Sequence, residues 1–148
     1  MNIKLINNID EMKDFAYFYI ENLEKEEKKA RVVLLKGDLG SGKTTFVQQV
    51  AKFFEIEDYI TSPTFVIQKR YIIKNDRELG FENLIHIDAY RLESGKELLD
   101  LNWEENILNP KNIIFIEWPE RVDEVLPKNI KSIKFKFIDE NIREIFYN

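Results

Sequence analysis

Gly37-Asp38-Leu39-Gly40-Ser41-Gly42-Lys43-Thr44 is a complete G-x-x-x-x-G-K-S/T pattern, the spacing of a phosphate-binding loop. Before it, Arg31-Val32-Val33-Leu34-Leu35-Lys36 is an apolar run rich in β-branched residues, which predicts a buried strand. After it, Phe46, Val47, Val50, Ala51 and Phe54 recur at the spacing of one helical face, predicting a helix over 44–54. Strand, glycine loop and helix are the context the loop chemistry needs. The glycines let successive backbone N–H groups point inward at phosphate oxygens. The helix N-terminus adds the positive end of its dipole. In such a loop Lys43 reaches the terminal phosphates and the Thr44 hydroxyl binds Mg²⁺.

Composition narrows the class. With 148 residues, one domain spanning 1–148 is the natural expectation, and 44% hydrophobic residues are enough for a sizeable core. The net charge of −5 argues against a chain that binds nucleic acid by itself. There is no cysteine, hence no disulfide framework and no thiolate zinc site. The longest stretch without a charged residue, Tyr59 to Gln68, has ten residues, about half of what a membrane-spanning helix requires. Met1 to Ile6 lacks the apolar core of a signal peptide. The expectation is a soluble cytoplasmic protein with no membrane partner.

Along the chain, Asn8 and Glu11 have the spacing of a capping box, followed by the helical stripe Met12, Phe15, Ala16, Tyr19, Ile20 and Leu23. Glu24 to Lys29 is a mixed-sign run, predicted to be a solvated helix end and turn. Ile60-Thr61-Ser62-Pro63-Thr64-Phe65 carries three hydroxyls just past the loop helix; it is either an ordinary turn or a segment that senses the terminal phosphate. Strands are predicted over 65–73 and 84–88, antiparallel because their connection is too short for a crossover helix. Short helices follow at 96–101 and 103–108, then a buried parallel strand at 113–117. Ile133, Phe135 and Phe137 alternate with Lys134 and Lys136 in a half-exposed strand. After a turn at 139–141, residues 142–147 pair back as a last strand. The order predicts an α/β fold: a P-loop NTPase-like, three-layer domain with a mixed central sheet.

Such a fold needs a strand-end carboxylate for Mg²⁺. Glu117 follows four apolar residues and should project where ligands collect in open α/β sheets, although Asp is the usual residue there. Asp88 ends another strand and could orient an attacking water or complete a metal shell. His86, the single histidine, is either structural or part of the site. Arg91 and Arg121 are available to phosphate, or simply exposed. No Asn-Lys-x-Asp sequence is present to read guanine, and no Leu-Ser-Gly-Gly-Gln stretch of a transporter ATPase.

Four islands carry a resemblance: Gly37 to Phe46; Thr61-Ser62-Pro63-Thr64-Phe65; His86-Ile87-Asp88-Ala89-Tyr90-Arg91-Leu92; and Ile116-Glu117-Trp118-Pro119-Glu120-Arg121 with Leu126-Pro127 behind it. In order and spacing the chain resembles the TsaE family, small bacterial ATPases of tRNA threonylcarbamoyladenosine biosynthesis. The departures are Ser41 where Ala is frequent and Ala89 where Leu is usual. The resemblance implies ATP on Gly40, Ser41, Gly42, Lys43, Thr44 and Thr45, and Mg²⁺ on Thr44 and Glu117. It further implies Asp88 as the catalytic residue and Thr61 to Phe65 as a switch segment. It implies the TsaB–TsaD pair as partner, with tRNA reached only through that complex and the threonylcarbamoyl group transferred by the pair. A stand-alone small-molecule kinase is the alternative; it would need an acceptor pocket and usually an Arg-rich lid, and no such Arg cluster is visible. A nucleotide-dependent binding module is a third.

Overall fold

The computed structural model describes residues 1–24 and 26–148. Strand β1 (Asn2–Ile6) leads into helix α1 (Ile9–Glu21), then β2 (Arg31–Lys36), the glycine loop and α2 (Lys43–Phe53). Strands β3 (Gln68–Ile72) and β4 (Asn83–Asp88), short helices α3 (Gly95–Leu99) and α4 (Trp103–Ile107), and β5 (Asn112–Glu117) follow. Two 3₁₀ turns precede β6 (Lys131–Phe137) and β7 (Arg143–Tyr147).

The strands form one seven-stranded sheet in the order β1-β7-β6-β2-β5-β4-β3. Its centre is parallel: β2 pairs with both β5 and β6, and β5 pairs with β4. Its edges are antiparallel: β3 on β4, β7 on β6 and β1 on β7. Alternation along the strands sorts side chains to two cores, as the pleat requires. Val33, Leu35, Phe115 and Phe135 face α1 and α2, meeting Phe15, Phe46 and Val50. Val32, Ile87, Ile114 and Ile116 face the other layer, meeting Leu98, Trp103 and Val122. The architecture is the expected mixed-sheet, P-loop NTPase-like α/β fold with helices on both faces. No helix of the described residues is long and apolar enough to cross a membrane.

Several local expectations change. Asn8 does cap α1, its Oδ1 accepting from the Glu11 amide at 2.9 Å. Glu11, however, folds back to the Asn7 amide (2.8 Å), one residue before the capping-box position. Leu23 lies past the helix end and is half-buried against the same core. The mixed-charge run includes Lys25, outside the described residues; Glu24 and Glu26 to Lys29 are exposed. The strand predicted from Phe65 starts at Gln68 instead. Phe65 and Val66 are 81% and 55% exposed, and Ile67 takes φ 67°, costly for a β-branched residue. Pairing begins only at Gln68 opposite Ile87, because the preceding residues leave the sheet edge to reach Asp88. The helix expected to reach Leu101 stops at Leu99, since Asn102 takes φ 62° and separates it from α4. Phe137 is exposed and lies under the Arg143 guanidinium, 4.6 Å from its ring centroid. Strand β1 carries no expectation from sequence; it forms the far edge of the sheet, with Ile3 and Leu5 exposed.

Candidate functional site

The parallel strands end on one rim. The glycine loop leaves β2 there, and the register aligns Leu35 with Glu117 and Glu117 with Asp88 across three neighbouring strands. Both acids are almost fully buried. The loop is tight enough to demand glycine at Gly37: its φ is 144°, and a Cβ would stand 2.5 Å from the Phe135 carbonyl oxygen and 2.6 Å from Ser41 Oγ. Gly42, at φ 110°, turns the chain into α2.

A cleft opens over this rim. Of the six loop residues singled out in the sequence, Gly40, Gly42, Lys43, Thr44 and Thr45 line it. Ser41 is buried; its Oγ, without a hydrogen-bond partner, sits back toward Gly37. Lys43 Nζ donates to the carbonyls of Gly37 (2.6 Å) and Asp38 (2.9 Å) and lies 4.7 Å from the Trp118 ring centroid. Burial pulls its pKa below the ordinary lysine range, and the charges of Glu117 and then Asp88 pull it back up.

Thr44 Oγ1 donates to Glu117 Oε1 at 2.8 Å, and His86 Nε2 lies 3.1 Å from the same oxygen. His86 is fully buried and its Nδ1 has no partner. Nε2 can thus donate to the carboxylate and orient it. The histidine reading left open in the sequence thus becomes a contact to Glu117. Asp88 is held on both oxygens: Ser62 Oγ (2.9 Å) and Thr64 Oγ1 (2.8 Å) donate to Oδ2, and the Tyr90 amide (2.9 Å) donates to Oδ1. The hydroxyl-rich segment is therefore tied to the strand-end acid, more than an ordinary turn would be.

The donor set fits a hard cation bound together with a polyphosphate. Thr44 and the two carboxylates offer only oxygen, which suits Mg²⁺. Among the described residues no group of three His, Cys, Asp or Glu side chains could hold a metal by itself. Phosphate oxygens and water would have to complete the shell, the usual habit of Mg²⁺ at nucleotide sites.

Arg91 and Arg121 are exposed and do not line the cleft; their guanidiniums stack on Phe65 (4.4 Å) and Tyr90 (5.6 Å). The arginine that does line it is Arg143, from β7, whose Nη2 donates to the Gly40 carbonyl at 3.3 Å. Trp118 and Tyr90 line it as well. Both stand beside the acids in sequence, a signal that was available. Arg143 has none, because only the insertion of β7 between β1 and β6 brings it to the loop.

The family model for "Threonylcarbamoyl adenosine biosynthesis protein TsaE" matches residues 6–145. A Rickettsia typhi protein named tRNA threonylcarbamoyladenosine biosynthesis protein TsaE is 34% identical over 139 residues, covering 93% of this chain and 88% of its own. The Bacillus subtilis protein of the same name is 36% identical over 81% of this chain and 70% of its own. A crystal structure of Bacillus subtilis YdiB superposes with a TM-score of 0.70 at 29% identity, covering 99% of this chain and 83% of that one. A match of this extent, on a chain whose glycine loop, strand-end acids and hydroxyl segment meet at one rim, shows that the protein belongs to the TsaE family.

Proposed function

We propose that this chain is a Mg²⁺-dependent ATPase, one P-loop domain over 1–148, that serves threonylcarbamoyladenosine modification of tRNA together with the TsaB–TsaD pair. The observation that carries the reading is the linkage at the rim: Thr44 to Glu117, and Asp88 to Ser62 and Thr64. In this reading Gly40 to Thr45 cradle the phosphates, Ser41 through its backbone. Lys43 exchanges its loop carbonyls for phosphate oxygens. Thr44 and Glu117 hold Mg²⁺, with His86 fixing the Glu117 carboxylate. Bound Mg²⁺ would offset charge on the phosphates. Asp88 is the catalytic residue: its carboxylate positions the attacking water and accepts its proton.

In this arrangement Asp88 is tied to the 61–65 segment: Ser62 and Thr64 hydroxyls fill Oδ2, while Oδ1 accepts only the Tyr90 amide and keeps room for a water. Movement of the 61–66 segment, whose Phe65 and Val66 are exposed, would release Oδ2 as well. A partner that orders this segment differently would free Asp88, which supports slow hydrolysis by the chain alone and faster hydrolysis with the pair. The cytoplasm is the compartment where tRNA and ATP coexist.

The test is phosphate release at saturating Mg-ATP with and without TsaB–TsaD, beside a multiple-turnover tRNA modification assay. Stimulation is expected, below the ~10³-fold that a supplied arginine gives. Unchanged hydrolysis, together with repeated tRNA turnover that does not need the chain, would reject the reading. ATP consumption that depends on a small acceptor would establish the kinase.

A further inference from the structure

The end of the sheet away from the cleft carries a second opening, and we infer that it binds a phosphate dianion. The inference stands apart from the nucleotide reading. Arg31 begins β2 and the glycine loop follows its last residue, so the two places lie roughly 16 Å apart at ~3.3 Å per residue.

Arg31 sets this place apart. It is 7% exposed, yet its Nε and Nη2 are buried without a hydrogen-bond partner among the described residues. Its ion pair there is loose: Nη1 lies 3.6 Å from Glu26 Oε1, on a side chain that is 40% exposed. Nε and Nη2 share one edge of the planar guanidinium, and their N–H groups match two oxygens of an oxyanion. A buried charge with such donors unmet is costly. Packing alone does not require it, since Val32 and Val33, the next residues of β2, fill the two cores with apolar side chains. Bulk solvent does not reach Nε and Nη2, so a partner comes by way of the cavity that Arg31 lines.

That cavity is about 110 Å³, several times the ~10–15 Å³ that one water needs and suited to a compact ion. Lys29, Lys128 and Lys131 line it as well, with Glu24 and Glu26. Four cations thus face two carboxylates, an excess of two positive charges on a chain whose net charge is −5. The excess favours a dianion over a carboxylate, and phosphate carries close to two negative charges at neutral pH. The fold gathers these cations from separate parts of the chain. Lys131 begins β6, which runs parallel to β2 and pairs with it from Val33. Lys29 belongs to the mixed-sign run before β2. Lys128 lies on the approach to β6, where Asn129 takes φ 62° and turns the chain between the two lysines. Leu126-Pro127, an island of the resemblance that does not line the cleft, leads into this wall, and Pro127 lines the cavity.

The Nε–H signal of Arg31 in the ¹H–¹⁵N spectrum of the full chain reads the unmet edge directly, and its loss in Arg31→Lys assigns it. Inorganic phosphate is titrated against chloride at equal ionic strength, with Mg-ADP present to fill the glycine loop. The signal is local, so the result holds whether or not the loop takes nucleotide. Phosphate should move the signal saturably and chloride should not. Acetate, a monoanion, should bind more weakly than phosphate. Glycerol 3-phosphate separates the two sources of the group: an equal shift means that the phosphate can be carried on a larger molecule, and no shift restricts the site to the free ion. Arg31→Lys keeps the charge and loses the paired donors; read from the Ala30 and Lys131 amides, its phosphate affinity should fall about tenfold or more. Glu26→Gln, which removes a competing carboxylate, should bind phosphate about two- to fivefold more tightly, and Lys128→Gln more weakly by a similar factor. Both positions are exposed, so these two variants carry the test if Arg31→Lys does not fold. An Arg31 signal that responds to phosphate no more than to chloride overturns the site. Acetate binding as tightly as phosphate overturns the choice of a dianion. Phosphate affinity unchanged in both Glu26→Gln and Lys128→Gln overturns the cavity as its location.

Discussion

The centre of the sheet and its flank bring groups to the same rim in different ways. In the centre, β2, β5 and β4 run parallel, and each ends on a group of the cleft: the glycine loop, Glu117 and Asp88. These strands are buried on both faces, so, His86 apart, their polar residues collect at the ends. At the flank, β7 and β1 run antiparallel, and it is the start of one strand and the end of the other, Arg143 opposite Ile6, that reach the rim. One face of β1 is left open, with Ile3 and Leu5 exposed. The centre is specified by local runs of sequence; the flank is specified by which strand lies beside which. Chemistry placed by the first route can be found in a motif. Chemistry placed by the second cannot.

The largest expected effect comes from the joint between the two regions. Phe46 packs against Phe15 and Tyr19 of α1, Phe115 of the centre and Phe135 of β6, the strand that joins centre to flank, with centroids 5.8–6.0 Å apart. Phe46→Ala should lower unfolding stability by roughly 3–5 kcal/mol, read by urea denaturation. A loss below ~1 kcal/mol would mean that the regions are not held together through this ring. Next is Lys43→Ala, which removes charge-assisted contacts to phosphate worth roughly 1.5–3 kcal/mol each. ATP titration against wild type measures it, and equal affinity would remove Lys43 from the site.

The two acids sharpen the comparison within the centre. Asp88→Asn should still bind Mg-ATP but hydrolyse it about 10²-fold more slowly. Glu117→Gln should instead make nucleotide binding nearly independent of Mg²⁺. Wild-type turnover in Asp88→Asn would show that its assignment is wrong. His86→Leu removes the donor behind Glu117 and should weaken Mg²⁺-dependent nucleotide binding about 10–100-fold, while His86→Gln, which keeps an N–H donor, recovers part of it. The smallest effect belongs to the flank: Asn8→Ala deletes the α1 cap and should lower stability by about 1 kcal/mol, with ATP hydrolysis little changed.

The sequence made most of the centre legible. Val32 to Leu35 and Ile113 to Ile116 are apolar runs that only a two-sided burial explains, and the observed strands coincide with them within a residue. Thr44 and Glu117, 73 positions apart, could be paired in advance because loop chemistry demands a partner acid. The flank was less legible. Ile3 and Leu5 alternate as a strand should, but an edge strand buries too little for its pattern to stand out. Phe65 and Val66 extended the apparent strand because they are apolar, yet their side chains face solvent beside the cleft. A hydrophobic run signals burial only when its partner is inside the same chain. Arg143 was invisible because its distance to Gly40 is set by two strand pairings and not by spacing.

Pairing β1 with β7 sets Asn2 opposite Tyr147. Closing so long a stretch of chain is entropically unfavourable and slow, so this seam belongs to the late events of folding, after the nearer contacts of the parallel strands. A cavity between Ile9 and Asn141 straddles that seam, one wall beside β1 and the other beside β7. It exists only once the last pairing is made. A molecule bound there works as a staple across the final seam: it adds its binding energy to the contacts that form last and open first.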